Sequence, residues 1–247
     1  MKTLALYNLK GGVGKTAGTV NLAYASVLAG RRTLVWDLDP QAAATFYFRV
    51  RPSLKGGRKA LLRHKHPLEK HIRGTDFEGI DLVPADFSLR KLDVALDDQK
   101  KPSKPLRKLL APLADDYDTL LLDCPPSISA TSRAIFELSD ALLVPVIPTT
   151  LSLRTLDQLL RHLDAKGPKG IPVWPYFSMV DRRKKMHLEL MEQATDEEQF
   201  LAASIPSASA VERMGVERMP VGAFDKGPAT EAFRALWNEV SERLDAL

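Results

Sequence analysis

The sequence predicts an α/β fold: a doubly wound, mostly parallel sheet flanked by helices. Three observations predict it. Short β-rich apolar runs alternate with helix-patterned stretches along the chain. Several of those runs are apolar without strict alternation, as parallel strands covered on both faces should be. The 247 residues are 45% hydrophobic, ample for one large core, and no internal repeat or low-complexity tract divides them. One domain over 1–247 is the expected organisation.

The expected strands are 3–8, 33–39, 80–85, 118–123, 141–147, 173–180 and 200–206. Helical patterns fall between them at 15–29, 87–97, 105–114, 151–165 and 183–194, and a last one at 229–246 closes the chain. Two segments break the rhythm. Residues 49–73 set Arg49, Arg51, Lys55, Arg58, Lys59, Arg63, Lys65, Lys70 and Arg73 against Glu69 alone, and 97–105 form a polar, proline-broken loop.

A net charge of +4 permits an anionic partner without requiring one. The single cysteine, Cys124, can form neither an internal disulfide nor a cysteine-clustered metal site. The N-terminus MKTLALYNL lacks a signal peptide's apolar core, and no apolar run reaches membrane-span length. A soluble cytoplasmic protein is expected.

Chemistry concentrates in three places. After the first strand comes Lys10-Gly11-Gly12-Val13-Gly14-Lys15-Thr16, followed directly by a helical pattern, and Gly11 to Ala17 are the candidate nucleotide-binding residues. Glycines there let backbone N–H groups turn toward phosphate oxygens, and the helix points its positive end at the same anion. Lys15 can reach β- and γ-phosphates and the Thr16 hydroxyl can ligate Mg²⁺. The competing reading is a glycine-rich turn that binds nothing. Second, Asp37-Leu38-Asp39-Pro40-Gln41 ends the second strand, at the carboxyl edge where parallel sheets bind ligands. Strand alternation would put Asp37 and Asp39 on one side; a pair capping the following helix is the alternative. Third, Leu120-Leu121-Leu122-Asp123-Cys124-Pro125-Pro126 has a Walker B form, a buried strand delivering Asp123 to water on Mg²⁺.

Taken together, KGGVGKT, DLDPQ and LLLDCPP resemble the deviant Walker A ATPases of the ParA/MinD family, most closely its small partition ATPases without an N-terminal helix-turn-helix domain. The resemblance runs from residue 1 to about 240, though only these three motifs are sharp. It implies ATP and Mg²⁺ as cofactors and a slow, partner-stimulated ATP hydrolysis. Lys10 would be the signature lysine that crosses a dimer interface to the partner's ATP; a solvated loop lysine is the alternative. Asp37 would hold the Mg²⁺ water shell and Asp39 would orient the attacking water. The family usually has threonine where Cys124 stands, so Cys124 reads as a small buried side chain. Ser178, with Pro206 and Ser207, falls where the family contacts adenine.

Family members move cargo either as ATP dimers on nonspecific DNA or, in the MinD branch, through an amphipathic C-terminal helix on membrane. The 229–246 helix has an apolar stripe, Phe233, Leu236, Trp237, Val240 and Leu244, but its other face mixes acids with bases. A membrane helix would carry a lysine- and arginine-rich face, so this helix is expected to pack on the sheet. Arg182, Arg183, Lys184, Lys185, Arg213, Arg218 and Lys226 are the candidate DNA contacts, with solvated surface charge as the alternative and the 49–73 cluster as a second patch. The expected partners are a second copy, nonspecific DNA at the nucleoid, and a ParB-like or cargo-specific adaptor. The competing functions are a MinD-like membrane-positioning ATPase and an ATP-dependent amide synthase or carboxylase on the same scaffold. A cluster-sharing electron-transfer ATPase would need a cysteine pair, and a tyrosine kinase would need a tyrosine-rich tail, whereas no tyrosine follows Tyr176.

Overall fold

The computed structural model describes residues 1–54, 56–57, 62, 67–97, 101–195 and 200–247. Its sheet has seven strands: β1 Lys2–Leu6, β2 Thr33–Asp37, β3 Arg73–Gly74, β4 Ile80–Val83, β5 Thr119–Asp123, β6 Ala141–Val146 and β7 Val173–Phe177, in the order β3-β4-β2-β5-β1-β6-β7. Every pairing is parallel except β3 with β4, so the expected doubly wound architecture is the observed one.

Alternation along the central strands builds two cores. Ala5, Leu34, Trp36, Leu120 and Leu122 face a layer containing α3 Leu92–Asp97, α4 Ser103–Leu110, α5 Ala130–Leu138 and α6 Thr150–Lys166. Leu4, Leu6, Val35, Leu121 and Leu143 face α1 Lys15–Leu28, α2 Ala43–Tyr47, α8 Ser209–Glu217 and α9 Pro228–Asp245 on the other side. Among the described residues a further helix, α7 Lys185–Thr195, follows β7. Close approach of α1 to the sheet needs Gly18, where an added Cβ would lie 2.8 Å from both Leu6 Cδ2 and the Tyr176 hydroxyl.

Several boundaries differ from the sequence expectation. The 33–39 run stops at Asp37, so Asp37 and Asp39 do not share a strand face. The 173–180 run stops at Phe177, because Met179 takes a left-handed backbone with φ of 56°. Residues 200–206 are not a strand: they meet their neighbour through one isolated parallel bridge, Val180 with Pro206. The physical reason is visible. Leu201 and Ile205 donate to the Pro175 and Phe177 carbonyls at 2.8 Å, but the intervening N–H groups of Ala202 and Ala203 turn to the Glu239 carboxylate. Lys55, Arg58, Lys59, Arg63 and Lys65 of the basic segment, and 98–100 of the polar loop, lie outside the described residues. The C-terminal helix α9 buries Phe233, Leu236, Trp237, Val240 and Leu244 in the second core, as its stripe predicts.

Candidate active site

Between β1 and α1 the chain makes a tight loop in which Gly12 and Gly14 hold left-handed φ values of 73° and 98°. Side chains other than hydrogen are strained in that region. Gly14 is also hemmed in, since a Cβ there would sit 2.8 Å from Ser178 Oγ. Gly14 caps α1 without a side-chain hydrogen bond, so the first-turn N–H groups of this 14-residue helix point into the loop. Buried Asn8 anchors the loop: its Nδ2 donates to the Pro145 carbonyl at 2.8 Å, and its Oδ1 accepts from the Lys10 N–H at 2.9 Å. Lys15 is buried, and its Nζ donates to the Lys10 carbonyl at 3.1 Å. Burial lowers its pKa below the ordinary lysine value, opposed chiefly by the negative potential of Asp123. The Lys10 side chain makes no ion pair with any described residue.

The acids stand across from this loop. Asp37 and Asp123 are register partners at the ends of β2 and β5, and both are fully buried. Asp123 Oδ2 accepts from the Thr16 hydroxyl at 2.8 Å and Oδ1 from the Thr19 hydroxyl at 3.2 Å. Asp37 Oδ2 takes both the N–H and the hydroxyl of Thr45, at 2.9 and 2.7 Å, and Oδ1 accepts from the Asp39 N–H at 3.2 Å. Asp37 therefore ties itself to Thr45 of α2 while also standing beside Asp123; Ala42, with no side-chain hydrogen bond, is the residue that caps α2. Burial, and for Asp123 next the charge of Asp37, raises both carboxyls above the ordinary aspartate value. Asp39 lies past the strand end, partly exposed, with Oδ1 accepting from the Gln41 N–H at 2.9 Å. Cys124 is buried and its thiol is pushed well up, which suits the structural role expected of it.

A cavity of about 100 Å³ opens on the other side of Gly14 and brings together Ser178, Pro206 and Ser207, the residues placed near a base by sequence, with Ala17 of α1. Tyr176, Val211 and Glu212 complete much of its wall. The structure thus joins two neighbouring spaces at Gly14. One has a buried lysine, hydroxyls and carboxylates at the positive end of a helix, chemistry suited to phosphate and a hard cation. The other is mostly apolar. Sequence reasoning missed Asn8, Thr19 and Thr45; only Thr19, one helical turn from Thr16, carries a spacing signal.

The basic candidates divide. Arg183 is bidentate to Asp181 at 2.9 and 3.0 Å, Lys185 pairs with Glu189 at 3.2 Å, and Arg213 pairs with Glu217 at 2.6 Å. Arg218 donates from Nε to the Phe46 carbonyl at 3.1 Å. Arg182, Lys184 and Lys226 are exposed or partly exposed and form no ion pair with any described residue.

Residues 1–166 match a family described as an AAA domain. The chain is 32% identical over 202 residues to the chromosome-partitioning ATPase Soj of Treponema pallidum, covering 78% of each chain. Among solved structures it is similar to a plasmid partition protein from Borrelia burgdorferi bound to AMPPNP, with a TM-score of 0.85 at 20% identity over 98% of this chain and 99% of that one. It is also similar to cobyrinic acid a,c-diamide synthase from Mycobacterium smegmatis with bound ADP and magnesium, with a TM-score of 0.82 at 24% identity over 100% and 96%. At these identities the two structures show the shared fold.

Proposed function

We propose that this chain, which belongs to the ParA/MinD family of P-loop ATPases, is a switch that dimerises around ATP, binds nonspecific DNA and positions a plasmid, chromosome or other large cargo. The observation that carries the reading is the meeting of Lys15, Thr16 and Asp123 at the start of α1, beside a Lys10 with no ion pair among the described residues. The loop Gly11–Ala17 would hold the phosphates, with Lys15 on their β and γ oxygens. Adenine would enter the cavity of Ser178, Pro206 and Ser207. Thr16, with Asp123 and Asp37 acting through water, offers hard oxygen donors, a set that fits Mg²⁺. Bound there, the ion would neutralise charge on the phosphate oxygens. Asp39 orients the attacking water, and Lys10 reaches the ATP of the partner subunit. ATP acts by binding the dimer better than the monomer.

On the surface, the basic residues at 182–185, with Arg213 and Lys226, add weak phosphate contacts that sum only in a dimer. An adaptor, ParB-like or cargo-specific, stimulates hydrolysis and resets the switch. No helix among the described residues is long and apolar enough to cross a membrane, and α9 buries the face a membrane helix would present.

The test is sedimentation with plain duplex DNA under ADP, ATP and no nucleotide, for wild type and Lys10→Ala. Binding is expected with ATP alone and is expected to vanish in the variant. Equal binding in all states would remove the switch. The likeness to the diamide synthase keeps an amide-forming enzyme in view. ATP turnover that required an organic acceptor would favour it.

A further inference from the structure

Helix α2 connects the Asp37–Asp39 loop to the protein surface, and with five residues it is too short to hold its own position. Its inner end is fixed by Thr45, whose hydroxyl donates to Asp37 and accepts from the Ala85 N–H at 2.9 Å. Its outer end is fixed by a reciprocal arrangement. Arg49 follows α2 in a left-handed conformation, φ 59°, and Val50 and Arg49 close the helix by donating to the Thr45 and Phe46 carbonyls at 3.1 Å. Arg218 ends α8 in the same conformation, φ 52°. Glycine normally fills such positions.

Each arginine then reaches across to the other helix. Arg49 donates from Nη2 to the Glu217 carbonyl at 2.7 Å and from Nε to the Arg218 carbonyl at 3.1 Å. Arg218 donates to the Phe46 carbonyl at 3.1 Å and lays its guanidinium 4.5 Å over the Phe46 ring. The Glu217 and Arg218 carbonyls at the end of α8 are thus capped by the residue that terminates α2, and the Phe46 carbonyl, already bonded to the Arg49 N–H, gains Arg218 as a second donor. Toward its other end, α8 supplies Val211 and Glu212 to the cavity beside Gly14.

We infer that Arg49 and Arg218 are positioning residues, a clasp that ties α2 to α8 and so sets Asp39 from the wall of the candidate base cavity. Occupancy of that cavity is then felt at the loop on the phosphate side. Arg218 serves this clasp rather than DNA. The inference rests on the reading of Asp39 as the water-orienting group, and two measurements keep the two separable.

Arg49→Gly and Arg218→Gly are the discriminating variants, since glycine suits the left-handed backbone while deleting the clasp. The first measurement is amide hydrogen exchange on the nucleotide-free full chain. Arg218→Gly is expected to speed exchange in 41–50, and Arg49→Gly in 209–218, each by about fivefold or more. Acceleration confined to the variant's own helix overturns the clasp. The second is ATP hydrolysis without DNA. A positioning role predicts kcat lower by about tenfold, KM for ATP within about twofold, and a double variant no worse than either single. Unchanged kcat, a parallel rise in KM, or additive losses overturn it. Arg234→Ala, which removes an exposed pair with Glu231, serves as the control expected to change neither readout. A wild type that hydrolyses no ATP would sink the proposed function, while exchange would still judge the clasp.

Discussion

Asp37 and Asp123 stand side by side with no exposed surface, and four hydroxyl or N–H donors reach them from Thr16, Thr19 and Thr45. Desolvation outweighs those donors, and with the mutual charge of the pair it lifts both carboxyls above the ordinary aspartate value. A carboxyl with a raised folded pKa holds its proton more tightly in the native chain. Its stabilising contribution is therefore complete below the unfolded value and is lost as pH rises through the folded one. His187, whose pKa is lowered by burial, works in the opposite sense as pH falls, so the comparison must be a difference. Thermal unfolding of nucleotide-free wild type and Asp123→Asn should be followed from about pH 4, near the ordinary aspartate value, to about pH 8.5. Wild type is expected to lose more than about 1 kcal/mol relative to the variant across that range, on the scale of 1.4 kcal/mol per pKa unit. Parallel curves would mean that water or relaxation relieves the pair. The same repulsion explains why a divalent cation would be welcome here: it would let both groups ionise together.

Among the elements, α9 separates two views of what the C-terminal helix does. Its stripe lies in the second core against α1, with Leu236 fully buried, while Arg234 pairs at the surface with Glu231. Leu236→Ala is expected to cost about 2–5 kcal/mol in urea unfolding, and Arg234→Ala less than about 0.5 kcal/mol. A small loss at Leu236 would mean the helix leaves the sheet easily, which would reopen the membrane alternative. This helix was legible because its 3.6-residue period is uninterrupted. The central strands were legible because burial on both faces makes them continuous apolar runs. The failures have local causes. Segment 200–206 has strand composition, yet Glu239 from α9 captures the N–H groups that a ladder needs. Helices α5 and α8 lie outside the expected helical stretches, and the two-residue β3 is too short for any period to register. In the site, glycine spacing and the positions of Lys15, Thr16 and Asp123 could be read directly. The tie from Asp37 to Thr45, and the anchoring of the loop by Asn8 to β6, depend on which strands become neighbours. No local pattern encodes that.

At the scale of the whole molecule, a net charge of +4 is too small to bind DNA by field alone, so affinity must come from where the cations stand and which of them are already paired. Asp181 holds Arg183 in a two-pronged contact and is itself pulled down to about 2 by it. Lys226, just before α9, is exposed and has no ion pair among the described residues. Counterion release makes the difference measurable, because log affinity falls with log salt by about 0.9 for each phosphate neutralised. If the ATP-bound dimer lays both copies of Lys226 on duplex DNA, Lys226→Ala should make the salt slope shallower by about 2. Arg183→Ala should change it by less than about 1, since Asp181 already neutralises that charge. Equal changes would mean that Asp181 surrenders Arg183 when DNA arrives, placing the 182–185 loop in the interface. No change from either would move the interface to the basic segment 49–73, which sets its lysines and arginines against Glu69 alone. The slope thus locates the DNA face without assuming any particular cargo.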